Sequence, residues 1–121
     1  DSRDLYMVVT AFSENPDTWL PMPEHWGRFT VESQIEDLYS TLSLYRQALE
    51  LRYARPEFSG DGVLWYGSPE GCLAFCRPGG LICALNTTSA PVPLPHGQIL
   101  LTSLPLVEGM LAPNSAVWLV P

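Results

Sequence analysis

Positive charge is scarce in this chain of 121 residues: six basic residues, all arginine, stand against 13 acidic ones, for a net charge of -7. Of Arg3, Arg28, Arg46, Arg52, Arg55 and Arg77, only Arg52 and Arg55 lie close together. No basic cluster offsets the repulsion between such a surface and phosphate backbones or anionic lipid, so neither nucleic acid nor a membrane surface is an expected partner. Long apolar runs are missing too. Stretches such as Gly80 to Leu85 and Ile99 to Leu101 fall far below the roughly 20 residues that span a bilayer. Cysteine is sparse and odd in number, with Cys72, Cys76 and Cys83, which suits a reducing cytoplasm better than a disulfide-stapled secreted domain.

Signatures of chemistry are equally thin. A structural zinc needs about four Cys or His ligands at suitable spacing. Here His25 and His96 are far apart and no Cys-x-x-Cys pair exists, so neither metal nor another cofactor is expected. There is no Gly-x-Ser-x-Gly nucleophile turn, and Ser68 within Trp65-Tyr66-Gly67-Ser68-Pro69 reads as a turn residue. Gly60-Asp61-Gly62 leads into an extended run, not into a helix whose amides could face a phosphate. Glycoside chemistry requires two carboxylates on opposite sides of a bond. Glu24, Glu32, Glu36, Asp37 and Glu50 fall on a loop and along helix faces, where a solvated polar surface accounts for them. No catalytic residue is assigned.

The apolar content of 46% is that of a folded chain of single-domain length. Residues 13–30 hold Pro16, Pro21, Pro23 and Gly27 among polar turn formers, which predicts an irregular loop. Its Trp19, Leu20, Met22, Trp26 and Phe29 predict that this loop packs on a surface. From Val31 to Arg55 neither Gly nor Pro occurs, and Ile35, Leu38, Leu42, Tyr45, Leu49 and Tyr53 recur at helical spacing, with a second stripe at Leu44, Ala48 and Leu51. One helix is predicted over 31–55, with Asp37 able to cap a start and Pro56 as the stop. Beyond Phe58, short apolar runs (Val63 to Tyr66, Cys72 to Arg77, Leu81 to Asn86, Gln98 to Leu104, Ala116 to Val120) alternate with Gly/Pro/Asn turns. This grammar predicts an antiparallel β-sandwich over 56–121, so the fold class is mainly β with one long helix, in one compact unit. Pro91, Pro93 and Pro95 alternate in a stretch fit for an edge strand or a connection.

Two smaller expectations follow from strand geometry. Cys72 and Cys76 sit about 13 Å apart along one strand at roughly 3.3 Å per residue, too far to bond. A two-residue Gly79-Gly80 loop would set Cys76 opposite Cys83, where oxidation could join them, although two inert core thiols are the plainer reading. Trp65 and Trp118, inside apolar runs, are expected in the core. Asn86-Thr87-Thr88 matches the glycosylation triplet but accompanies no secretory feature. The opening Asp1-Ser2-Arg3-Asp4 is not that of a leader and lacks a starting Met, so the chain is expected to be an interior piece of a longer protein.

The order of elements and the wording together resemble a known family. Trp19-Leu20-Pro21-Met22-Pro23, Val31-Glu32-Ser33-Gln34 and the run Ser40 to Arg52 look like the last barrel helix of bacterial alpha-glucosidases and oligo-glucosidases of the alpha-amylase superfamily. Gly62-Val63-Leu64, Cys72 to Arg77 and Leu81 to Asn86 resemble the C-terminal beta domain of the same enzymes. The resemblance covers the chain from about residue 13 onward. It implies a parent that hydrolyses alpha-glucosidic bonds of maltose-like oligosaccharides with retention, through an Asp nucleophile, a Glu acid/base and a second Asp, all upstream of this region. It also implies a non-catalytic structural role here, bracing the catalytic barrel, with residues 1–30 belonging to the barrel end. Arg3 and Asp4 look like the start of a loop near the parent's substrate cleft. Trp19 and Trp26 are the candidate sugar-stacking residues should the piece act as a carbohydrate-binding module for alpha-glucans. Two departures from the family pattern, the apolar run Leu5 to Phe12 and Leu38-Tyr39 before the helix, predict an added strand and an earlier helix start. They suit a piece altered or selected to stand alone, whose uncovered helix stripe would favour a homodimer.

Overall fold

The computed structural model describes residues 24–121. The chain divides into two compact units, Asp1–Arg46 and Gln47–Pro121. Over the described residues it is mainly β with one main helix: a five-stranded antiparallel sheet forms the second unit's framework.

In the first unit a 3-10 helix, Glu24–Phe29, leads to a short helix α1, Val31–Gln34. Thr30 caps α1, its backbone extended and its hydroxyl oxygen accepting from the Ser33 amide at 3.2 Å. The predicted single helix over 31–55 is corrected here. It breaks between Gln34 and Thr41, and the main helix, α2, is Thr41–Ala54.

The break has a side-chain cause. Asp37 Oδ1 accepts from the Tyr39 amide at 3.0 Å, folding the chain into a local turn. Ser40 then takes the N-cap role: its Oγ accepts from the Ser43 amide at 3.2 Å, while Gln34 Oε1 accepts from the Leu42 amide at 3.1 Å. The Ser43 hydroxyl donates back to Asp37 O at 2.6 Å. Short polar side chains thus bind the backbone groups that a continuous helix would have paired. The earlier start expected from Leu38-Tyr39 is accordingly overturned. The predicted stop holds, since Arg55 is extended (φ -104°, ψ 128°) ahead of Pro56, which opens a 3-10 turn, Pro56–Phe58.

The sheet runs β1 (Leu64–Trp65), β2 (Cys72–Cys76), β3 (Ile82–Asn86), β4 (Gln98–Thr102) and β5 (Ser115–Val120), in the spatial order β1-β2-β3-β5-β4. The β2–β3 loop is one residue longer than expected. Arg77 N donates to Leu81 O at 2.8 Å, leaving Pro78-Gly79-Gly80 as a three-residue turn with Gly80 at φ +108°. Gly79 is required for another reason, because a Cβ there would come within 2.7 Å of Glu57 O. The 3-10 turn lies against this hairpin, and Leu81 N donates to Glu57 O at 3.3 Å.

Alternation along the strands defines two faces. Ala74, Ile82, Ala84, Val117 and Leu119 bury themselves together with Leu111, and Cys76, Val92 and Leu94 pack against that cluster. The segment after β3 crosses this face as a strap, tied by a bridge between Val92 and Leu111. Its anchor is Asn86, fully buried, whose Nδ2 donates to Ala90 O, Leu111 O and Ala112 O at 2.9, 3.2 and 3.1 Å. Asn86 Oδ1 accepts from the Thr88 amide at 2.9 Å, so the side chain is committed on both ends. The same burial takes the Asn86-Thr87-Thr88 amide out of reach of glycosylation in the folded chain.

Candidate functional site

The register of the sheet decides where the sulfur atoms go. Cys76 pairs with Ile82 and Phe75 with Cys83, so the one-residue difference in the turn sends Cys76 and Cys83 to opposite faces. A Cys76–Cys83 bridge is therefore excluded by the fold, and all three cysteines are free. Burial pushes the Cys83 thiol up from its usual value, partly offset by a hydrogen bond from Trp118. A thiol held protonated in this way is a packing group, not a nucleophile.

On the face opposite the strap, one row crosses the sheet: Trp65 beside Phe75, Phe75 beside Cys83, Cys83 beside Trp118, and Trp118 beside Leu101. A second row sets Leu73, Leu85 and Ala116 side by side. All these side chains are uncharged and nearly all apolar. Trp118 is half-buried, its ring meeting Phe58 edge to face at 4.9 Å, and so keeps the packing role expected of it. Trp65 does not. It is 61% exposed, with its ring edge-on to Phe75 at 5.5 Å and 67°. The expectation of a core Trp65 fails because β1 is a two-residue edge strand, with no element beyond it among the described residues.

The helix shows the same inversion. Leu44, Ala48 and Leu51, the secondary stripe in the sequence, are half-buried. Tyr45, Leu49 and Tyr53 of the leading stripe are exposed, Tyr53 at 96%. Exposed Ile35 and Leu38 precede them.

The strap face holds a cleft of about 530 Å³. Its floor is Ala74, Ile82 and Ala84, with Leu73 and Leu85 also in the lining; strap residues 92–95 line the other side, and Tyr66, Ser68, Cys72 and His96 supply its polar side chains. The Ser68 hydroxyl donates to Cys72 O at 2.9 Å. The Tyr66 hydroxyl is raised above its ordinary pKa by its hydrogen bond with the Cys76 thiol.

Of the candidate residues named from sequence, Arg3, Asp4 and Trp19 lie outside the described residues, as does the strand expected over residues 5–12. Trp26 sits in the 3-10 helix Glu24–Phe29 at 37% exposure, next to an Arg28 guanidinium 4.6 Å above the Phe29 ring. Glu32, Glu36, Asp37 and Glu50 are all exposed, as a solvated polar surface requires. Among the described residues no group of three or more His, Cys, Asp or Glu is placed to hold a metal ion. No helix among them is long and apolar enough to cross a membrane. The cleft was not legible beforehand, since its walls come from segments 66–74, 82–85 and 92–96. Its one local sign was the Pro91/Pro93/Pro95 alternation.

Compared with known proteins, the chain matches no protein-family model and no curated protein.

Proposed function

We propose that this chain is a non-catalytic accessory piece of an alpha-glucosidase of the alpha-amylase superfamily, bracing the catalytic barrel of its parent. The observation that carries the reading is the apolar sheet face left in solvent, with Trp65 at 61% and Leu73 at 52% exposure. Uncharged surface spread across several strands marks a face made to be covered by protein. The exposed helix stripe of Tyr45, Leu49 and Tyr53 supports the same reading, because a last barrel helix meets neighbours on more than one side. The element order, a helix followed by a short turn and an antiparallel sheet, agrees with the wording of the sequence. On this reading the sheet and its strap are the two layers of an amylase-type C-terminal sandwich. The parent hydrolyses alpha-glucosidic bonds of maltose-like oligosaccharides, and the piece itself does no chemistry. Three unpaired thiols support a cytoplasmic setting.

The test is titration of this chain into the barrel of a bacterial alpha-glucosidase truncated before its own last helix and β domain. A saturable complex and a raised unfolding temperature of the barrel are expected. A failure to associate, with the chain monomeric by light scattering, sinks the reading.

A second reading rests on the exposure of Trp65: a carbohydrate-binding module stacking alpha-glucans on that face. The edge-on Trp65/Phe75 geometry offers a single ring rather than a flat platform, which argues against it. Saturable maltotriose binding that disappears in Trp65→Ala would establish it in place of the first.

A further inference from the structure

We propose that the cleft between the sheet and the Pro91–Pro95 strap is a binding site for a small, uncharged, flat apolar molecule carrying one hydrogen-bonding group. The site goes beyond the accessory role and does not depend on it, since it lies on the face opposite the exposed aromatic row.

Its size, about 530 Å³, is that of a small-molecule site. Apolar walls left this far apart in water would close if they could, and here they are prevented. The floor residues Ala74 and Ala84 are too short to reach across. Pro93 and Pro95 carry no N–H, so the strap cannot continue the ladder that the Val92–Leu111 bridge begins. The start of the strap is fixed by this bridge together with Asn86 Nδ2 bonding to Ala90 O at 2.9 Å. A cleft held open by covalent and hydrogen-bonded constraints is preorganised, and a ligand entering it loses little to the ordering of its walls.

The lining selects the chemistry. No Asp, Glu, Lys or Arg contributes to it, so a charged ligand would lose its hydration with no counter-charge in return. Alanine methyls and pyrrolidine rings favour a flat apolar body. Among the lining residues, polar side chains belong to Tyr66, Ser68, Cys72 and His96 only. The Ser68 proton is committed to Cys72 O, which leaves its oxygen as an acceptor; the Tyr66 hydroxyl, bonded with the Cys76 thiol, keeps one further role, and the His96 imidazole can donate or accept. That set suits one hydroxyl or carbonyl on the ligand.

The probe is 2-naphthol, titrated into the intact chain and followed by methyl and aromatic NMR, with naphthalene-2-sulfonate as the charged counterpart. The expected result is saturable shifts at the Ala74, Ala84, Val92 and Leu111 methyls and at the His96 ring, with the sulfonate at least tenfold weaker. Ala84→Leu, which fills the floor, should weaken 2-naphthol at least tenfold. Shifts that fail to saturate, or that are confined to the Trp65 and Trp118 indoles and the Phe75 ring on the other face, would overturn the proposal. So would a sulfonate that binds as well as the naphthol. The mapping uses the unaltered chain, so the proposal stays falsifiable even if Ala84→Leu does not fold.

Discussion

On one face of the sheet Ala74, Ile82, Ala84, Val117 and Leu119 lie buried under the strap, while on the other Trp65, Leu73 and Leu85 stand in solvent. The larger side chains are on the wetter side. Burial in this domain therefore follows what the chain brings over each face, not how apolar the face is. Asn86 ties the start of the strap over this face, where Val92 and Leu94 pack against the buried cluster. On the opposite face Phe58 meets Trp118 and Val120 is buried, while Trp65, Leu73 and Leu85 stay uncovered. Its remaining apolar area is a reserve of binding free energy, at roughly 25 cal/mol for each Å² removed from water.

Truncations on the two faces test this contrast most directly. Leu119→Ala, at a position with no exposure, should destabilise the chain by about 4 kcal/mol in a urea melt, whereas Leu73→Ala should change stability by no more than about 0.5 kcal/mol. Equal effects would mean that the two faces are equally engaged. Next in size is Asn86→Ala, which takes one of two donors from each of the Ala90, Leu111 and Ala112 carbonyls and empties a buried polar position. A loss of about 3 kcal/mol is expected, with amide exchange rising first at Val92 and Leu111, the two ends of the strap bridge. If exchange rose evenly over the sheet instead, Asn86 would not be what holds the strap. Gly79→Ala should cost about 2 kcal/mol by forcing the hairpin away from Glu57 O, read as a lower thermal midpoint.

The smallest effect concerns Glu57, whose carboxylate is held below its usual pKa by backbone hydrogen bonding and by Arg55, 2.9 Å away. A depressed folded pKa contributes stability above the unfolded carboxylate pKa, and that contribution fades as pH falls through the folded value. Glu57→Gln should therefore narrow the difference in stability between neutral and acid solution. A pH dependence unchanged by the substitution would show that the pair does not contribute.

Legibility in the sequence varied with the range of the interactions. The helix stop at Pro56 and the extended runs now seen as β1 to β5 were readable, because proline geometry and apolar runs act locally. The helix start was not. The uninterrupted apolar period across residues 35–42 outweighed the prospect that Asp37, Ser40 and Ser43 would turn their side chains onto the backbone. The turn at Pro78-Gly79-Gly80 is legible, but Gly79-Gly80 reads as a two-residue loop, one residue shorter than the turn formed, and that register would put both sulfurs on one face. Of the candidate site, only the proline alternation could be noticed, because the cleft needs β2, β3 and the strap in register.

Composition by itself determined an acidic surface with no basic patch, a chain that alternates apolar runs with turns, and a helix that cannot pass Pro56. These follow from charge and backbone sterics, which need no distant partner. The tertiary structure alone decided which tryptophan is covered, which cysteines share a face, and where a cavity stays open. Each of those depends on pairing register and on what crosses a face, and both are set by contacts between segments far apart in the chain.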